Sequence, residues 1–250
     1  MEAVKAYHSK ITDILSRIVS EETEQISAAA TVLADCVEQG KLIHVFVTGG
    51  HSYMAGEEMF YRAGGLQPLN AILDSGVSLA NGARRSTIVE RTPGYAKAVL
   101  DTYGVAEGEA IILVNVNGIN SLTIESAIEA KKRGLKVIGV TSKEFSLNVP
   151  PNTPSRHPSN KNLFEVSDIV IDVHIPPGDA LLTLPGVKPK VAAGSTVAIA
   201  FVLNALTAKT VSLLAERGIE PPLWVSANLP GGDEANREFL SKNTAGIRHL

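Results

Sequence analysis

Four short runs of this chain, Leu42–Thr48, Ala110–Val116, Lys136–Thr141 and Ile169–Val173, are apolar almost from end to end. A strand with one wet face alternates apolar and polar residues, so continuous runs of this length belong to strands buried on both faces. A parallel sheet held between two layers of helices supplies such a site. A weaker run, Leu69–Leu73, makes a fifth strand. Helical spacing fills the intervals over Tyr53–Ala63, Gly94–Tyr103, Leu122–Arg133 and Thr196–Arg217. Strand and helix in alternation specify a doubly wound α/β sheet, whose ligands bind outside the carboxyl ends of the strands.

Two helices are expected before the first strand. Ile11, Ile14, Leu15 and Ile18 form one apolar stripe, Ile26, Ala30, Leu33 and Val37 another, and Gly40 is a helix stop. No repeat or low-complexity linker divides the sequence. It reads as one domain over residues 1–250: N-terminal helices to 40, an α/β core over 41–217, and a tail over 218–250. The tail carries no long helical pattern and is expected to pack on the core or on a partner subunit. Two Pro-bearing excursions, Asn148–Pro158 and Pro176–Pro189, follow strand ends and so fall on the ligand-binding edge.

Composition narrows the function. A net charge of −3 offers no basic excess to neutralise phosphates, and aromatics at 5% leave few surfaces for base stacking, so no nucleic-acid partner is expected. The single cysteine, Cys36, cannot close an internal disulfide, which fits a reducing cytoplasm. The longest apolar stretch, Val197–Leu206, is interrupted by Asn204 and too short to span a bilayer, and no signal peptide is read at the start, so no membrane association is expected. The spacings His-x-His, His-x-x-x-His and Cys-x-x-Cys are absent, so no metal is expected; neither nucleotide-binding glycine motif is present, and no cofactor is expected.

The candidate chemistry gathers at strand ends. After the first strand come Gly49, Gly50, His51 and Ser52; after the third, Asn115, Asn117, Gly118, Asn120 and Ser121; after the fourth, Thr141 and Ser142. Neutral amides and hydroxyls beside helix N-termini suit a hydroxylated, anionic ligand, although Asn120 or Ser121 alone reads as a helix cap. Three glutamates are candidate bases. Glu57 shares a stripe with Tyr53 and Phe60 and is expected to be buried, with the raised pKa a base near neutrality needs. Glu58 stands four residues before Arg62 and reads as an ion pair. Glu90 lies on a connecting segment beside Arg84, Arg85 and Arg91, and pairing with them competes with a catalytic reading. His51 and His157 are candidate proton carriers; His44 and His174 read as core or edge histidines.

TGGHS after the first strand, with NVNGINSLTIESAIEAKKRGLKVIGVTS after the third, resembles the sugar isomerase (SIS) domain. SRHPSNKNLFEVSDIVIDV further resembles a subgroup near phosphoheptose isomerase. The resemblance implies a three-layer flavodoxin-like sandwich with a five-stranded parallel sheet, a sugar phosphate as ligand, and a homodimer or higher homo-oligomer. The family's phosphate loop, Ser-x-Ser-Gly-x-Ser/Thr, stands here as Asn115, Asn117, Gly118 and Asn120. Tyr53 occupies a position where the subgroup carries histidine, and Thr196–Arg217 lacks the late histidine of heptose isomerases. The expected activity is aldose–ketose isomerisation by carboxylate proton abstraction. A non-catalytic sugar-phosphate sensor, a lyase cleaving an amino sugar phosphate ether, and a scaffolding dimer are the alternatives.

Overall fold

The computed structural model describes residues 2–242, 244 and 246–250. All five expected strands are present: β1 (Ile43–Val47), β2 (Leu69–Ile72), β3 (Ala110–Val114), β4 (Lys136–Thr141) and β5 (Ile169–Asp172). They form one parallel sheet in the order β2-β1-β3-β4-β5, with Val45 opposite Ala71 on one side and Ile112 on the other. Every residue of β1, β2 and β3 is buried, which is why their sequences do not alternate. Val45, Val47, Ile112 and Val114 enter one core, while Phe46, Ile72, Ile111 and Leu113 enter the other. Each fully buried Ile, Leu or Phe contributes about 1.5–3 kcal/mol.

The first core is roofed by α1 (Glu2–Glu38), α2 (Tyr53–Met59) and α8 (Ser195–Glu216); the second by α4 (Tyr95–Tyr103), α5 (Ser121–Lys132) and α7 (Leu163–Val166). By length and composition α8 is apolar enough to cross a membrane. Its Ala198, Val202, Leu203 and Leu206, however, lie in the first core, and α8 packs along α1.

Three expectations about helices are corrected. The two leading helices are one helix of 37 residues, about 55 Å long at 1.5 Å per residue. The polar run between the two stripes contains neither Gly nor Pro, and its Glu22 is buried, accepting a hydrogen bond from the Asp172 amide at 3.1 Å. Polarity there marks passage over the end of β5, not a break. The helix expected to reach Ala63 stops at Met59, where Phe60 turns extended and Tyr61 adopts φ 51°. The tail imposes this end: Gly64 N–H donates to the Trp224 carbonyl, Leu66 bridges Leu223, and the Tyr61 and Trp224 rings lie 4.7 Å apart. That tail holds an 11-residue helix, α9 (Gly232–Lys242), and packs through Trp224, Phe239 and Ile247 against Leu42 and Phe60.

Two further elements lie at the carboxyl edge of the sheet. Residues read as a connecting segment form α3 (Ala83–Arg91), after a 3-10 turn at Leu79–Asn81. The second Pro-bearing excursion folds into a small antiparallel hairpin of β6 (Ala180–Leu182) and β7 (Val191–Ala193). In the first excursion α6 (Lys143–Asn148) leads into a loop gathered by Arg156, whose guanidinium donates to the carbonyls of Val149, Asn160 and Ser146 and to Asn162 Oδ1.

Candidate functional site

Between β1 and β3 the chain reverses the direction in which it adds strands, and the loops leaving these two strands diverge and leave a crevice. A cavity of about 310 Å³ opens there, lined by Gly49, Gly50, His51 and Ser52 from the end of β1 and by Asn115 and Asn117 from the end of β3. These six candidates therefore share one space. Ser52 sits at the N-cap of α2, but its hydroxyl caps nothing. Asn117, which lines the cavity, accepts from the Ile119 amide through Oδ1 at 3.2 Å. Asn115 is more committed, with Oδ1 accepting from Gly118 N–H and Nδ2 donating to the Thr48 carbonyl.

Neither Gly49 nor Gly50 has a positive φ, so the glycines are not there for a left-handed turn. Close approach accounts for them. A Cβ on Gly50 would lie 2.5 Å from Leu79 Cδ2 and 2.8 Å from Ser86 Oγ, and one on Gly49 would lie 3.0 Å from Glu90 Oε2. Helix α3 and its leading turn come down directly on the Gly-Gly backbone.

That approach makes Glu90 the distinctive group of the site. It is half-buried at the cavity wall, and burial pushes its carboxyl up to about 7 against the opposing pull of Arg91 and the Gly50 amide. The competing reading, an ion pair with Arg84, Arg85 or Arg91, finds no such pair among the described residues: α3 turns the three arginines outward, where all are exposed. A carboxyl that titrates near neutrality can take a proton from carbon and return it.

The facing wall comes from the hairpin and the start of α8. Asp179, with φ 65°, accepts from Gly194 N–H at 3.1 Å, Ser195 N–H at 2.9 Å and Ser195 Oγ at 2.7 Å. Its negative charge lies on the positive end of a 22-residue helix. Among the described residues lining this cavity are no Lys or Arg. Polar recognition there rests on hydroxyls, amides and backbone N–H groups.

The remaining candidates fall elsewhere. Glu57 is exposed rather than buried, because α2 turns Ala55, Gly56 and Met59 inward and Glu57 out. Glu58 pairs with Arg62 at 3.0 Å, as its spacing suggests, and also accepts from Asn204. Glu58 and Arg62 line a hollow of about 280 Å³ between α2 and α8 with no other charged group among the described residues, and Glu58 also borders a small hollow of about 60 Å³ that shares His51, Ser52, Thr196 and Ile199 with the main cavity. Gly118, Asn120, Ser121, Thr141 and Ser142 sit behind the cavity wall. Thr141 Oγ1 donates to the Val116 carbonyl; Ser142 Oγ donates to the Ile175 carbonyl and accepts from Phe145 N–H, capping α6. Asn120 occupies the N-cap of α5 without capping it and donates to the Ser155 carbonyl instead. His157 lies on the Pro-rich loop, 3.5 Å from Glu125, and its amide donates to the Ile119 carbonyl. Of the histidines read as candidates, His51 alone borders the cavity. Sequence reading missed Leu79, Ser86, Thr87, Asp179, Ser195 and Thr196. Ser195 and Thr196 carried a signal, a Gly-Ser-Thr helix start; α3 carried none, since its pattern is polar nearly all round.

Residues 6–142 match the SIS domain, and the chain belongs to that family. It is 39% identical over 247 residues to a UPF0309 protein of Caldanaerobacter subterraneus, covering 98% of each chain, which places it in the UPF0309 group. Two solved structures share the fold at low identity. A phosphoheptose isomerase from Francisella tularensis matches with a TM-score of 0.57 at 14% identity, over 84% of this chain and 96% of that one. The Vibrio vulnificus NanR protein complexed with ManNAc-6P matches with a TM-score of 0.52 at 16%, over 96% and 69%.

Proposed function

We propose that the protein binds a sugar phosphate in the crevice between β1 and β3 and isomerises it between aldose and ketose, with Glu90 as the base. The observation that carries this reading is a carboxyl held near 7 at a cavity whose polar lining, Asp179 and His51 apart, is hydroxyls, amides and backbone N–H groups. Membership of the SIS family supports the ligand class, as do fold neighbours that include a phosphoheptose isomerase and a protein complexed with ManNAc-6P.

In this reaction the Glu90 carboxylate takes the proton from the carbon next to the carbonyl. The C–H electrons form the carbon–carbon double bond of an enediol, and the carbonyl oxygen takes up a proton. Asn117 and the N–H groups of the first turn stabilise the developing oxygen charge. His51 carries the proton between the two oxygens, and Glu90 returns its proton to the neighbouring carbon. Glu57, Glu58 and His157 take no part.

A panel of sugar phosphates in a thermal-shift assay identifies the ligand, and NMR then follows exchange of its C2 proton with solvent. Exchange that falls about 10³-fold in Glu90→Gln is the expected result. Stabilisation without exchange contradicts catalysis and makes the protein a sensor. We further propose a homodimer through the outer face of α8 beside α2, where Val197 and Met54 are exposed; light scattering after size exclusion is expected to give twice the chain mass of 26.4 kDa.

A further inference from the structure

Helix α3 is seated shallowly: it packs on α5 and sends Val89 against the second core, but buries little else. Of its nine residues only Ser86 is buried, and the helix runs between two glycines with positive φ, Gly82 at 110° and Gly94 at 86°. Neither flanking residue caps it with a side chain, since Gly82 is itself the N-cap and Thr92 turns extended ahead of Pro93. The attachments of its side chains to the sheet side are few. Ser86 Oγ donates to the Val77 carbonyl at 2.8 Å in a buried position, and Arg85 reaches the Ser75 carbonyl at 3.3 Å from the exposed side.

Ser86 and Glu90 are four residues apart and so lie one above the other on the same helix face. Their partners are likewise adjacent: Ser86 Oγ faces Gly50 and Glu90 Oε2 faces Gly49. The buried hydrogen bond of Ser86 is therefore one turn from the carboxyl that borders the cavity, and that carboxyl itself accepts from the Gly50 amide.

We infer that Ser86 is a positioning residue: its bond to the Val77 carbonyl latches α3 onto the Gly-Gly turn and thereby holds Glu90 at the cavity. The Gly49–Gly50 pair is the other half of the latch, since a Cβ on Gly50 would meet Leu79 Cδ2 and Ser86 Oγ and displace the Ser86 hydroxyl from its seat. Glu90 owes its raised titration to this seating, because a loosened α3 readmits water to the carboxyl. The charged and titratable groups around it are Arg91 on its own helix and, on the other walls, His51 and Asp179. Arg91 shares α3 with Glu90 and travels with it, while His51 and Asp179 sit on other elements, so a change in Glu90 tracks the seating of α3.

The inference rests on the proposed role of Glu90 but is tested without any substrate. The full chain, labelled with ¹³C at the glutamate carboxyls, is titrated by NMR, with the Glu90 resonance assigned by its loss in Glu90→Gln. In the unsubstituted protein the midpoint is expected near 7. In Ser86→Ala and in Gly50→Ala it is expected to fall toward the ordinary glutamate value of about 4.3. In Ile88→Ala, on the exposed face of the same helix, it is expected to stay put. A midpoint unmoved in both Ser86→Ala and Gly50→Ala overturns the latch, even where sugar-phosphate exchange depends on Glu90. A midpoint that falls as expected, with no exchange on any sugar phosphate, upholds the latch and removes the isomerase reading.

Discussion

The two sides of the crevice are built from similar polar residues and put them to opposite uses. Around the ends of β4 and β5, and in the Pro-rich loop over α5, polar side chains are consumed by the fold. Ser142 binds the Ile175 carbonyl and caps α6, Thr141 binds the Val116 carbonyl, and Asn120 gives its NH₂ to the Ser155 carbonyl, although its buried Oδ1 accepts no hydrogen bond. Around the ends of β1 and β3 more of that capacity is left open: Ser52 caps nothing and His51 is exposed, although Asn115 is committed to the Gly118 amide and the Thr48 carbonyl; Glu90, on α3 above them, has no ion pair among the described residues. Polar residues at strand ends mark a site only where the fold does not itself use their hydrogen-bonding capacity. The crevice side meets that condition and the β4 side does not.

The comparison can be broken first on activity. Replacing Glu90 by Gln is expected to lower C2 exchange by about 10³-fold, the scale of a lost general base. His157→Ala, on the consumed side, is expected to change it less than about threefold. NMR exchange rates under saturating sugar phosphate measure both, and equal losses would erase the distinction between the two sides.

Stability against pH sharpens the comparison next. The folded-state pKa of Glu90 is raised to about 7, whereas the unfolded value is about 4.3. Below the lower value the carboxyl is neutral in both states and costs nothing. As pH rises to about 7 the unfolded chain ionises more readily and stability is lost. Glu90→Gln removes that loss, so it is expected to gain about 1–3 kcal/mol over the wild type at pH 8 and nothing at pH 4. Urea denaturation at the two pH values measures this, and a gain that is the same at both would remove the link to ionisation.

On the consumed side the effect is one of stability alone. Ser142→Ala loses a cap and a buried bond to a carbonyl and is expected to cost about 1–3 kcal/mol in denaturant unfolding, while sugar-phosphate affinity in the folded protein is unchanged. A loss of affinity without loss of stability would move Ser142 into the site. The smallest effect belongs to Glu57, exposed on α2. Glu57→Gln is expected to change stability by under about 0.5 kcal/mol and leave exchange intact.

The sheet was legible because its strands are buried on both faces, and neither a half-wet strand nor a surface helix produces an unbroken apolar run. The order of the strands, and hence the place of the crevice, is not in that pattern; only the resemblance implied a flavodoxin-like arrangement. The site was legible on the β1 and β3 side, where Gly49 to Ser52, Asn115 and Asn117 leave strands directly. It was illegible at α3, whose nine residues bury only Ser86 and so show no periodicity. Asp179 was illegible for another reason: its role depends on the hairpin folding back onto the start of α8, a contact between residues 16 apart with no local signature. Glu57 misled because helix α2 is short, and the stripe that would have buried it ends where Trp224 takes over the packing.

The claim at the centre is that a single carboxyl, held partly out of water over the Gly-Gly turn, does the proton abstraction. The pH dependence of C2 exchange on a bound sugar phosphate tests it most directly. The rate is expected to rise through a midpoint near 7 as Glu90 ionises, and in Glu90→Gln to be about 10³-fold lower and to lose that rise. A profile that persists in Glu90→Gln, or one whose midpoint lies near the ordinary glutamate value of about 4.3, would contradict it.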